Sequence, residues 1–282
     1  FDDAIKLDNN YAIALAYRGL VLNILTKIAI ISLTEGAQIA RMDIDRAIEI
    51  DPELAIAYVH RGLNKLWFDF DFKGSRLDFE LAEYLNPNIA QIYANLSSLH
   101  SMQGNHQQAL LYAHKAKSLN PMDWLVVYLL SEAYFFQGDY QQALVEIENA
   151  LTFLPDREGM LILKARVELL KGDNEQAILT IKKARIGGAR AMIQSMAYSK
   201  MGDKTKSDEA MATFIKLSAA HSAYQIAEAY CFRGDIEQCL DWLDLAHKQK
   251  DPGLVRIIIS PFLKPVYQEK RYKKLVLKMD IL

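Results

Sequence analysis

Four prolines, Pro52, Pro87, Pro121 and Pro155, stand 35, 34 and 34 residues apart. A second landmark, glycine followed by a small polar residue, recurs at Gly104-Asn105, Gly138-Asp139, Gly172-Asp173, Gly202-Asp203 and Gly234-Asp235, in steps of 34, 34, 30 and 32. A fixed period of this length means stacked copies of one unit, none of which can bury its apolar face alone. The 282 residues therefore form one elongated array rather than two compact domains, although length alone allows either.

Between the landmarks the pattern is helical. Ala109, Ala113 and Ala116, then Ala143, Ile147 and Ala150, then Ala177, Ile181 and Ala184 follow spacings of four and three, which place them on one stripe of a helix. Their small size lets a partner helix approach closely. Each landmark glycine can take the positive φ that ends one helix, and the Asn or Asp after it can cap the next. Proline closes the second helix because it has no N–H to donate to a continuing turn. One unit reads as helix A, tight turn, helix B, Pro turn.

These residues resemble the tetratricopeptide repeat family. In the best unit, Trp124, Leu130, Ser131 and Tyr134 of helix A precede Gly138, Tyr140, Ala143, Ile147, Ala150 and Pro155. The unit before it carries Tyr93, Leu96, Ser97, Gly104, Ala109, Ala116 and Pro121. An earlier one carries Tyr58, Gly62, Phe72, Ser75, Phe79, Ala82 and Pro87, with Phe70 in place of the turn glycine. The resemblance implies an all-α fold, a right-handed superhelix of units at about 11–54, 55–89, 90–123, 124–157, 158–187, 188–219 and 220–252, after a truncated helix B at 1–10. The first full unit, with Tyr17, Gly19, Ala40, Ile44, Ala47 and Pro52, is about nine residues too long between Gly19 and Ala40, so extended helices are expected there. The unit after Ala184 has Gly187-Gly188 in place of its proline and is about four residues short. Both departures are expected to bend the superhelix.

After Ala246 the repeat pattern stops. Asp251-Pro252, the run Ile259 to Lys264, and Lys270-Arg271-Tyr272-Lys273-Lys274 to Leu282, with Phe68-Asp69-Phe70-Asp71-Phe72 earlier, are similar to the C-terminal repeat halves of bacterial signalling proteins. That similarity implies an N-terminal effector outside this chain: a winged-helix domain, a class III nucleotide cyclase or a kinase. The opening residue, Phe1 rather than Met, agrees with that expectation. An end repeat exposes an unpaired apolar face, so residues 253–282 are read as a cap, with Leu254, Ile257, Ile258, Phe262, Val266, Leu275 and Leu277 covering the last repeat.

Composition narrows the function. Lys plus Arg number 33 against 35 Asp plus Glu, a balance unlike that of a nucleic-acid-binding domain, and the basic run Lys270–Lys274 reads as a solvated face of the cap. Two cysteines, Cys231 and Cys239, exclude a disulfide framework and fit buried thiols in a reducing, cytoplasmic setting. The apolar stretch Tyr11–Leu33 is broken by Arg18, Asn23 and Lys27 and makes a poor membrane span. No phosphate loop, nucleophile elbow or zinc-binding helix is present, so no enzyme, metal or cofactor is expected. His60, His100, His106, His114, His221 and His247 are scattered; His100 and His114 are read as ordinary partly buried residues. Asn95-Leu96-Ser97 fits a glycosylation sequon but sits within a helix.

What remains is binding. In the family register the A helices line the concave wall, which places Ile56, Val59, Leu63, Leu66, Gln91, Ala94, Ser98, Leu125, Tyr128, Glu132, Phe135, Ile162, Arg166, Met192, Met196, Tyr224 and Glu228 there, about half of them in a free groove. A largely apolar groove suits an amphipathic helix or extended hydrophobic segment of a protein or peptide. The clamp by which some family members hold a terminal carboxylate is not reproduced: Val59, Leu63, Leu125 and Leu129 surround Asn95 where cations are needed. The expected function is a protein-interaction module, the regulatory half of a bacterial regulator. The alternative is a stand-alone assembly or chaperone-like scaffold; self-association through the N-terminal repeat is the third reading.

Overall fold

The structure, a computed structural model, describes residues 1–28 and 30–279. Residues 280–282 of the expected cap lie outside that range. A short helix α1 (Asp2–Leu7) precedes the pairs α2 (Ala12–Lys27) and α3 (Leu33–Ile50), α4 (Ala55–Asn64) and α5 (Phe72–Leu85), α6 (Ala90–Met102) and α7 (His106–Leu119), and α8 (Trp124–Gln137) and α9 (Tyr140–Phe153). They continue with α10 (Glu158–Lys171) and α11 (Asn174–Ile181), α12 (Gly187–Lys200) and α13 (Lys204–Ser218), and α14 (Ala223–Arg233) and α15 (Ile236–Gln249). Two 3₁₀ turns, Pro252–Arg256 and Pro261–Val266, lead to α16 (Lys270–Lys278). No strand occurs among the described residues. The fold is an all-α superhelix of antiparallel helix pairs.

Helix A of each pair is sandwiched between its own helix B and the neighbouring A helices, while helix B forms an outer layer. Hence α6 buries ten of its thirteen residues, but α7 buries only Ala109, Ala113 and Ala116. Small side chains sit where the two helices approach most closely: Ala40, Ser75, Ala109, Ala143, Ala177 and Cys239 are fully buried at one repeat position. The first pair is lengthened, α2 to 16 residues and α3 to 18, as the wide spacing between Gly19 and Ala40 predicts. The shortening falls before Ala184 rather than after it: α11 has only eight residues, while α12 and α13 have 14 and 15.

The A-to-B turn is built alike throughout. Gly104, Gly138, Gly172, Gly202 and Gly234 all take φ between 77° and 96°. The N–H of the residue after each glycine reaches back to a carbonyl of the preceding helix, as from Asp139 to Tyr134 at 2.9 Å. Phe70 takes the left-handed conformation too, at φ 56°. The distance from Pro52 to Phe70 is 18 residues, against 17 from Pro87 to Gly104 and from Pro121 to Gly138. The extra residue is absorbed as a π-helical turn, Lys65–Asp69. Side-chain capping is less regular than expected. Asp139 and Asp203 accept the N–H of Gln142 and Lys206, whereas Asn105, Asp173 and Asp235 make no such bond. The Asp235 carboxylate turns instead to Arg233, 2.9 Å from its Nε.

The C-terminal segment does more than cover the last repeat. Pro252–Arg256 packs against the π-turn of the second pair, and Pro261–Val266 lies along α14. Leu254, Val255, Ile257, Leu263 and Val266 share one buried apolar cluster with Val59, Leu63 and Leu66 of the N-terminal half. The superhelix curls until its C-terminal end meets an early unit and fills part of its own hollow. One residue assigned to the cap's apolar face is not on it: Leu277 is 82% exposed, since Tyr272 and Leu275 already occupy the buried side of α16. The basic run faces outward, and Arg271 pairs with Asp241 and Asp244 of α15 at 2.9 and 2.7 Å.

Candidate functional site: two concavities on the inner wall

The inner wall carries two separate concavities. A cleft of about 560 Å³ lies among the starts of the N-terminal A helices, lined by Ile13, Tyr17, Leu54, Ile56, Ile89 and Gln91 with Asp51 and Glu53. A second cavity, of about 420 Å³, lies between α8, α10, α12 and α14 and is closed on one side by Lys27 and Arg256. Of the residues assigned to the wall from sequence, Ile56 and Gln91 line the first. Tyr128, Glu132, Phe135, Ile162, Arg166, Met192, Tyr224 and Glu228 line the second. Val59, Leu63, Leu66, Ala94, Ser98, Leu125 and Met196 line neither. Val59 and Leu63 are buried in the cluster that holds the C-terminal turn, and Met196 is buried with Phe262. Gln91 donates to Asp123 at 2.9 Å.

The second cavity is bounded by two charge pairs that tie distant units together. Arg166 of α10 reaches past α12 to Glu228 of α14 with two parallel bonds, Nη1 to Oε2 at 2.9 Å and Nη2 to Oε1 at 3.0 Å. Ser260 of the cap donates to the same Glu228 Oε1 at 2.5 Å. Arg256 donates from Nη2 to both oxygens of Glu132, at 3.1 and 3.2 Å, and Tyr128 adds its hydroxyl at 3.1 Å. The Arg166 guanidinium also lies over the Phe262 ring, 4.6 Å from its centroid. Burial opposes the charge on Arg166, yet the attraction of Glu228 outweighs it and holds the pKa above its ordinary value. Arg256 is held up in the same way by Glu132. Burial raises the Tyr128 and Tyr224 phenols, so both stay protonated.

Lys27 stands apart from these pairs. Its ammonium sits 3.9 Å from the centroid of the Trp67 ring and forms no ion pair with a described carboxylate. Burial, reinforced by Arg256, pulls its pKa down to about 7.

Sequence reasoning passed over Lys27, Arg256 and Ser260. Lys27 registers in the sequence only as an interruption of an apolar stretch. Arg256 and Ser260 carry no signal, because the chain brings them to the wall from beyond the repeats. A stripe on α2 was missed as well: Ile13, Tyr17, Val21, Ile24 and Ile28 share one helical face and are 36–53% exposed. That signal was legible, since their spacings of three and four are those of a helix face.

His114, His100 and Asn95 each have a structural neighbour. His114 meets the Tyr134 hydroxyl at 3.0 Å, and His100 stacks on Tyr112. Asn95 donates to the Gln91 carbonyl within α6, at 2.8 Å. Cys231 and Cys239 are buried free thiols. Among the described residues no helix is long and apolar enough to cross a membrane.

Residues 124–149, α8 and most of α9, match the tetratricopeptide repeat family model. No curated protein sequence matches the chain. Among solved structures the fold is similar to a tetratricopeptide repeat protein from Parabacteroides merdae, with a TM-score of 0.58 and 16% identity over 94% of this chain and 98% of that one. It is also similar to PilW, a widely conserved type IV pilus biogenesis factor, with a TM-score of 0.56 and 18% identity over 70% of this chain and 93% of that one. Yeast Tom70 gives a TM-score of 0.55 and 15% identity over 99% of this chain and 57% of that one. The family match at 124–149 and these neighbours support the repeat-family resemblance.

Proposed function

We propose that the chain is a non-enzymatic interaction module that holds an amphipathic segment of a protein partner against its inner wall. The observation that carries this reading is the stripe Ile13, Tyr17, Val21, Ile24 and Ile28, five large apolar side chains left more than a third exposed along one helix. Contiguous exposed apolar surface of that kind marks an interaction site in a protein with an ample core. The stripe runs into the first cleft, where Ile56 and Ile89 continue the apolar floor and Asp51 and Glu53 stand at the side. A helix with apolar residues at spacings of three and four and a basic edge fits both. Groove residues of the second cavity, such as Glu132 and Glu228, are bonded to Arg256 and Ser260 of the chain's own cap, which favours the N-terminal half as the partner's path. The resemblance of the C-terminal segment to the repeat halves of bacterial signalling proteins supports a regulatory role beside an effector domain. The likeness to a pilus biogenesis factor bears on the alternative, a stand-alone assembly scaffold, through fold alone.

A photo-crosslinking amino acid at position 17, with another at Leu111 on the outer face of α7, tests the reading in living cells. A protein adduct from position 17 that Ile24→Ser removes, with none from position 111, is the expected result. Adducts of equal yield from both positions, or none from position 17, overturn it. An adduct that contains only a second copy of this chain replaces a foreign partner with self-association.

A further inference from the structure

We propose that the second cavity is a binding site for a small carboxylate with an apolar body, held by Lys27, Arg256 and Tyr224. It meets the α2 stripe only at Ile28 and does not depend on the protein-docking reading. The argument begins with a mismatch between donors and acceptors. Both oxygens of Glu132 and both of Glu228 are already occupied, by Arg256 and Tyr128 and by Arg166 and Ser260. The unused groups are donors. The Lys27 ammonium has only the Trp67 ring, and Arg256 Nε is buried without a hydrogen-bond partner. The Tyr224 hydroxyl, on a side chain 1% exposed beside Ser260, makes no hydrogen bond of standard geometry. Gln225 Oε1 is a buried acceptor without a partner in the lining, and its amide can turn to present its NH₂ instead.

Buried donors without acceptors cost free energy, as at Arg256 Nε and the Tyr224 hydroxyl, and an anion in the cavity would be drawn to these donors and to the Lys27 ammonium. Three cations line the cavity, Lys27, Arg166 and Arg256, against two carboxylates, Glu132 and Glu228. With Lys27 protonated, as a bound anion makes it, a single negative charge balances them. Apolar side chains, among them Ile162, Met192 and Phe214, supply the rest of the lining, and 420 Å³ lies within the range of about 300–1,000 Å³ usual for small-molecule sites. These donors come from the end of α2, the cap and α14, not from the A-helix positions around Asn95 that the family's carboxylate clamp uses.

Lys27 gives the site a second readout. The groups facing it are Arg256, which lowers its pKa, and Glu132, which raises it, with His221 and Asp251 lining the neighbouring surface. A carboxylate against the ammonium restores its charge, so binding at pH 8 takes up close to one proton. The test is isothermal titration of the full chain with octanoate, octanamide and inorganic phosphate, at pH 8 in buffers of different ionisation enthalpy. Octanoate is expected to bind with proton uptake, octanamide at least tenfold more weakly. Lys27→Met is expected to weaken octanoate at least tenfold and to abolish the uptake. Tyr224→Phe, which removes only the unpartnered hydroxyl, is expected to weaken octanoate several-fold with the melting temperature kept, and it decides the matter if Lys27→Met does not fold. Equal binding of octanamide, no saturable octanoate binding, or unaltered affinity in both variants overturns the proposal. Tighter binding of phosphate than of octanoate overturns the carboxylate assignment.

Discussion

The two halves of the inner wall are built by the same repeat and have opposite fates. In α2 the apolar stripe stays exposed, from Ile13 to Ile28. In α8, α10 and α14 the inner face is partly filled by the cap: Glu132 and Glu228 are held by Arg256, Arg166 and Ser260, and Phe135 is 1% exposed. Repetition produces the wall, but what lies against it is decided by a segment outside the repeats. A hollow counted from repeat number alone is therefore an overestimate of binding surface.

The sharpest way to break the closed half is Glu228→Ala. It leaves Arg166 buried with no carboxylate and orphans Ser260, so a loss of about 3–5 kcal/mol is expected in denaturant unfolding. Adding Arg166→Met should recover part of that loss, because the uncompensated charge is then gone. An unchanged midpoint for Glu228→Ala would show that the cap is not fastened there.

The seam of the open half is probed by pH. His60 is 2% exposed between α2 and α4, with Nδ1 2.9 Å from the Ala16 carbonyl oxygen, and burial lowers its pKa to about 4. Because the folded form resists protonation, the stabilisation is present above the unfolded pKa near 6.5 and is lost as pH falls towards 4. That amounts to about 3 kcal/mol over the whole window. His60→Gln should flatten the stability profile in that window, and an equally steep decline in the variant would assign it to other groups.

Ala143→Leu addresses what both halves share. Ala143 is fully buried where helix B meets helix A, so the added side chain should cost about 1–3 kcal/mol or more, read as a lower melting midpoint. The smallest effect belongs to the stripe. Ile24→Ser, at a site 42% exposed, should change stability by only about 0.5 kcal/mol while it removes partner binding. A large loss would mean that the stripe is structural.

Much of this architecture is legible in single residues. The five positive-φ glycines mark the turns because a residue with a Cβ is strained there. The buried Ala and Cys at one repeat position mark the helix contacts. Phe70 was legible as the missing glycine, but the π-turn before it required counting one extra residue. The candidate site was read only in half, since Tyr128, Glu132, Arg166 and Glu228 were visible as wall residues and the cap partners Arg256 and Ser260 were not.

Local spacing by itself settled which residues form helices, where the turns fall and which faces pair, because these depend on neighbours within one period. The closure of the superhelix, the burial of Val59 and Leu63 and the meeting of Glu132 with Arg256, 124 positions later, were decided by the tertiary structure. Each depends on small unit-to-unit rotations that accumulate along the array. No periodicity encodes where such a sum brings its two ends.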